Sequence, residues 1–125
     1  MSDPRHDLGR RAEAAAASWL VAGGWDVLAT RWRCPFGELD LVCLDPHGTL
    51  VGVEVRARRS GRAGAAEESV DACRIARLRR SLAAYAAQVG PRRTGRRLDL
   101  VTLSPVPGDP DRRWRARRIP GIGVW

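Results

Sequence analysis

Apolar residues recur at helical spacing through the start of the chain. Leu8, Ala12, Ala15, Ala16, Trp19 and Leu20 fall on one side of a 3.6-residue repeat. Asp3-Pro4 supplies an N-cap carboxylate followed by proline at the first helical position, and Gly23-Gly24 closes the segment. The pattern predicts a helix over residues 4–22, with Glu13 at the edge of its apolar face one turn beyond Gly9. Trp25 to Thr30 reads as a short strand, and Cys34-Pro35-Phe36-Gly37 as a loop. Residues 38–45 and 50–57 then alternate with period two around Asp45-Pro46-His47-Gly48-Thr49, whose Pro and Gly mark a turn. Leu39, Leu41 and Cys43 alternate with Glu38, Asp40 and Val42, while Val51, Val53 and Val55 alternate with Gly52, Glu54 and Arg56. A second helical stripe, Ile75, Leu78, Leu82, Tyr85 and Val89, predicts a helix over about residues 67–89 ended by Gly90-Pro91. Leu98 to Leu103 forms another strand, and the tail from Trp114 to Trp125 offers one more. Two helices around a mixed sheet give an α/β/α sandwich, with residues 1–125 as a single domain.

The hairpin register carries chemical information. Centred on His47, it sets Asp40 opposite Glu54 and Glu38 opposite Arg56. Like charges directly opposite on paired strands repel. A bound divalent cation resolves that repulsion, and so does a neighbouring arginine. A slip of one residue removes the opposition altogether.

Composition narrows the partner. The formal charge is +8, and all 22 basic residues are arginine. Such a balance on a small domain points to a polyanion, most simply nucleic acid. Lysine and asparagine are both absent. Their codons begin AA, so a GC-rich coding sequence explains both gaps at once. Cys34, Cys43 and Cys73 are odd in number and lack metal-binding spacing, which fits reduced, mostly buried thiols. The N-terminus has no apolar signal region and no run is long enough to span a membrane, so the expected location is the cytoplasm. Trp19 and Trp25 fit core packing, whereas Trp32, between two arginines, is a candidate for stacking on a base.

Phosphodiester hydrolysis needs an activated water, charge neutralisation at the phosphate and help for the leaving oxygen. A divalent ion such as Mg²⁺ supplies all three and is commonly held by one or two carboxylates. Asp40 and Glu54 meet that requirement, with Glu13 as a third acid brought from the helix. Arg56, two residues after Glu54, can neutralise developing charge but is no general base. The spacing taken alone fits ion-paired strand carboxylates equally well.

The segments Gly37-Glu38-Leu39-Asp40-Leu41-Val42 and Val53-Glu54-Val55-Arg56-Ala57-Arg58 resemble the YraN family of uncharacterised bacterial proteins. The resemblance also takes in Leu8-Gly9 with Glu13, Gly23, Arg33, the second helix and Arg97-Leu98-Asp99-Leu100-Val101. It implies a PD-(D/E)xK endonuclease of restriction-endonuclease-like fold, related to Holliday-junction resolvases, with branched DNA as a candidate substrate. Glu13, Asp40 and Glu54 are then the acidic cluster for Mg²⁺ or Mn²⁺, with Arg56 at the catalytic-lysine position. The family usually has lysine at positions 56 and 74, and arginine at both matches the lysine-free composition. Arg33, Arg58, Arg59, Arg62, Arg74 and Arg77 are the expected nucleic-acid contacts, for DNA ahead of RNA, and two-strand cutting calls for a homodimer. The alternatives are a nucleic-acid-binding module of the same fold without catalysis, and an interaction protein whose basic surface takes RNA or an acidic partner.

Overall fold

The computed structural model describes residues 4–58, 70–90 and 95–123. Helix α1 spans Pro4–Ala22, followed by strands β1 (Asp26–Cys34), β2 (Gly37–Leu44) and β3 (Leu50–Ala57). Helix α2 (Ala72–Val89) leads to β4 (Arg96–Pro105) and β5 (Trp114–Pro120). The strands form one sheet in the order β1-β2-β3-β4-β5. Only β3 and β4 are parallel, because α2 carries the chain back across the sheet between them. The helices cover opposite faces. Ala12, Ala16 and Leu20 of α1 pack with Leu41, Cys43, Val51, Val53 and Val101. Leu78, Leu82 and Tyr85 of α2 pack with Leu39, Val42, Leu50 and Leu98. The result is an α/β/α sandwich around a mixed sheet, and no described helix is long and apolar enough to cross a membrane.

β1, α2 and β4 differ from their predicted bounds. β1 continues through Arg31-Trp32-Arg33 to a tight turn at Pro35-Phe36, where Cys34 faces Gly37. A register shift between Val27 and Ala29 interrupts its alternation and hides the strand's length in the sequence. α2 begins at Ala72, because the Asp71 side chain caps it by accepting the Arg74 N–H at 2.8 Å. The predicted start over residues 67–69 lies outside the described residues. β4 runs from Arg96 to Pro105, two residues longer at each end than the expected Leu98 to Leu103.

Trp19 does not join the core. It is 42% exposed, at the rim of a groove of about 400 Å³ that it forms with Trp25, Gly23 and Arg118. Trp25 is buried as expected. The half-buried Trp32 sets its ring edge-on to Tyr85 at 5.2 Å, so that ring is engaged in the α2-side core. Cys43 is buried, but Cys73 is exposed on α2.

The strongest polar feature of the scaffold is Asp99 on β4, which is fully buried. Its carboxylate accepts from Arg97 Nε (2.7 Å), Arg97 Nη2 (3.1 Å), Arg118 Nη1 (2.9 Å) and the Gly121 N–H (3.1 Å). Arg97 also donates to Asp45 Oδ2, while Asp45 Oδ1 accepts the His47 and Thr49 N–H groups of the β2–β3 turn. Burial pushes the Asp45 carboxyl up, but these donors outweigh it and hold it below the usual carboxylate range. Both arginines lie over the Trp25 ring, at 6.0 and 5.2 Å. One acid thus ties the hairpin turn, β4 and β5 together. Removing it strands two arginines, so Asp99→Ala should lose about 3–5 kcal/mol of stability in urea unfolding. A loss under about 1 kcal/mol would show that the network adds little to the fold.

Candidate active site

The predicted hairpin register is present. Leu41 pairs with Val53, Val42 with Gly52, Cys43 with Val51 and Leu44 with Leu50. The ladder stops at Leu41–Val53, one step short of Asp40 and Glu54. There Asp40 Oδ2 accepts the Val55 N–H at 2.9 Å, so a side chain replaces the next backbone partner. The alternation of β2 breaks at the same place. Leu39 and Leu41, two residues apart, reach the α2-side and α1-side cores respectively. The strands part at Asp40, and the gap is where the acidic side chains meet.

Glu54 lies on the α2 side of β3 and is only 2% exposed. Arg74, one turn into α2, donates to Glu54 Oε1 at 2.9 Å, and Arg56 Nη1 stands 3.3 Å from the same oxygen. Glu54 Oε2, Arg56 Nε and Arg74 Nε are buried without a hydrogen-bond partner. Buried polar atoms seldom remain so in a finished scaffold. Asp40 is half-buried beside this group. Burial pushes its carboxyl up to about 7, the nearby negative charge of Glu54 adds to the rise, and the Val55 N–H opposes it.

Glu13 approaches from α1 close enough for its charge also to raise Asp40. Its own carboxylate, however, accepts from Arg31 Nε at 2.7 Å. Among the described residues, no three His, Cys, Asp or Glu side chains form a metal-holding group. The structure therefore brings Asp40, Glu54 and Arg56 together and draws Glu13 aside. Arg31 is the residue that sequence reasoning missed, because the strand was ended at Thr30. It sits on β1 with φ at 48°, a conformation unfavourable for arginine and frequent where a site imposes strain. Glu13, then Glu38 and Asp40, act to keep its guanidinium charged.

Glu38 does not face Arg56, since the β2–β3 ladder has ended before it. It pairs instead across β1 with Arg33, at 3.0 Å. Among the other expected nucleic-acid contacts, Arg74 is bound to Glu54, Arg77 is exposed beside Phe36 and Glu38, and Arg58 is half-buried at the end of β3. Arg59 and Arg62 lie outside the described residues. The donor set fits a hard divalent cation in one respect. Two adjacent carboxylates, one with an unused buried oxygen, match an ion that takes one or two protein carboxylates and fills its other positions with water or substrate.

Residues 12–103 match the model of the family described as Uncharacterised protein family UPF0102. The chain belongs to that family. It is the YraN family under another name. A UPF0102 protein of Roseiflexus castenholzii is 42% identical over 105 residues, covering 83% of this chain and 84% of the relative. One from Symbiobacterium thermophilum is 39% identical over 112 residues, covering 90% and 92%. A third, from Paenarthrobacter aurescens, is 41% identical over 96 residues, covering 77% and 78%. The UPF0102 match contains Glu13, Arg31, Asp40, Glu54, Arg56 and Arg74, and ends before β5. The UPF0102 description names no activity.

The raised Asp40 has a measurable consequence. Its ordinary value is 3.8 and its folded value about 7, so between them the folded protein binds a proton that the unfolded chain has released. Stability contributed by this group is therefore lost as pH rises through that window. Asp40→Asn should remove this loss and gain on the wild type between about pH 4 and pH 7 in urea unfolding. Parallel stability curves for the two proteins across that range would contradict the assignment.

Proposed function

We propose that this UPF0102 protein is a metal-dependent DNA endonuclease of the restriction-endonuclease-like class. The observation that carries the reading is the meeting of Asp40 and the buried Glu54 where β2 and β3 part, with an unused carboxylate oxygen and two arginines beside it. Asp40 and Glu54 would hold Mg²⁺ or Mn²⁺, with Glu13 joining if it leaves Arg31. The ion would supply an activated water and charge neutralisation at the phosphate. Arg56 and Arg74 would bind the non-bridging phosphate oxygens and offset charge that develops as the bond breaks. Neither can serve as a base, since a guanidinium stays protonated. Branched or junction DNA is the proposed substrate, and cutting both strands of it would require a homodimer.

A second reading has its own observation. Arg56 and Arg74 already neutralise Glu54, which suits a nucleic-acid-binding module of this fold that does not cleave. Cleavage of junction, flap and single-stranded DNA with Mn²⁺ separates the two. The endonuclease reading expects cleavage that falls at least about 100-fold in Asp40→Ala and in Glu54→Gln, a loss typical of removing catalytic charge. Arg56→Lys should retain or raise it. Cleavage that persists in Asp40→Ala belongs to a contaminant. No cleavage by the wild type or by Arg56→Lys leaves the binding module as the reading.

A further inference from the structure

Helix α2 carries Arg74, Arg77, Arg79 and Arg80 and not one acidic residue in its 18 positions. The first of these is half-buried against Glu54, while the other three are exposed. Arg74, Arg77 and Arg80 are spaced three apart, so they form a ridge that winds from the candidate site onto the outer face of the helix. Arg74 to Arg80 is a rise of about 9 Å along the axis. That length covers two to three phosphates of a nucleic-acid strand, which rises about 3.4 Å per phosphate. The ridge ends at a groove of about 420 Å³ whose described lining is Ala76, Arg79, Arg80, Ala83 and Arg96. The two alanines keep the floor shallow, and Arg96 enters from the start of β4. No carboxylate lines the groove among the described residues.

We infer that the outer face of α2 is a backbone track. A strand leaving the site follows Arg77 and Arg80 and seats its phosphates in the groove of Arg79, Arg80 and Arg96. The inference rests on the proposed nucleic-acid substrate and adds the surface that holds the strand away from the reacting bond. Beyond Arg77, it places the affinity on Arg79, Arg80 and Arg96, which were not among the expected contacts. These guanidiniums contact phosphates and no base edges, so the track contributes affinity without sequence preference.

Binding of a labelled oligonucleotide by anisotropy in EDTA tests this without any cleavage step, so it stands or falls separately from the endonuclease reading. The triple variant Arg79→Gln, Arg80→Gln, Arg96→Gln should lower the slope of log affinity against log salt by about two to three. Arg80→Gln alone, at an exposed position, should lower it by about one. The control Arg112→Gln, Arg115→Gln, Arg117→Gln removes equal charge from the exposed surface on and before β5 and should leave the slope nearly unchanged. An equal drop in the control would reduce the effect to net charge and overturn the track. An unchanged slope in the triple variant overturns it too, as does absence of binding by the wild type. Displacement of the oligonucleotide by polyglutamate at equal charge concentration assigns the surface to an acidic protein and overturns it likewise.

Discussion

A single hydrogen bond, from the Val55 N–H to the Asp40 carboxylate, marks where two strands cease to be a ladder. Up to Leu41–Val53 the hairpin is ordinary antiparallel sheet. Beyond it the backbones separate, and Leu39 turns to the α2 side while Leu41 stays on the α1 side. A continuous ladder would hold Asp40 and Glu54 directly opposite, where their repulsion would simply weaken the pairing. Parting the strands instead leaves a gap that α2 closes with Arg74 and β3 with Arg56. The sandwich fixes the gap from both sides, so the position of the acids follows from the packing of the helices.

Among the described residues, two buried acids are each answered by two arginines, and comparing them separates scaffold from site. Asp99 is saturated: both its oxygens accept, and Arg97 spends its fork on Asp99 and Asp45. Glu54 is not. One oxygen receives both cations and the other receives neither, while the Nε atoms of both arginines are unanswered. Burying a charge with incomplete hydrogen bonding costs stability, so such a group persists where something else requires it. That asymmetry supports a ligand at Glu54 and a structural role at Asp99. The rise in the Asp40 carboxyl belongs to the same strain, because burial and the Glu54 charge both act against a second negative charge there.

Much of this was legible in the chain. Period-two alternation and the turn at His47 specify the hairpin register, since a one-residue slip would turn its apolar face outward. Helical stripes place α1 and α2 on the sheet. What was not legible depends on irregularity. The register shift in β1 disguised a nine-residue strand as a short strand plus loop, and Arg31 was lost with it. Glu13 was expected among the acids, but Arg31, one residue past the expected end of the strand, pairs with it. Trp19 fitted the helical repeat yet stands at a rim, because alternation and helical spacing predict faces without saying how far the opposing layer extends. Asp99 did leave a signal: Arg97 lies two positions before it on the same strand face, so a buried pair could be read from the strand alone.

The absence of lysine gives the arginines a double meaning. Arg56 and Arg74 hold the charge where related chains are expected to have lysine, but a planar fork reaches Glu54 with less freedom than an ammonium. Whether a divalent ion can take its place beside that fork is the question on which the proposed chemistry turns. The most direct measurement is the anomalous scattering of Mn²⁺ in crystals soaked above the pH at which Asp40 ionises. The account predicts a peak between Asp40 and Glu54 Oε2 that disappears in Asp40→Asn crystals. No peak at that position, with Mn²⁺ well bound elsewhere in the same crystals, would contradict it.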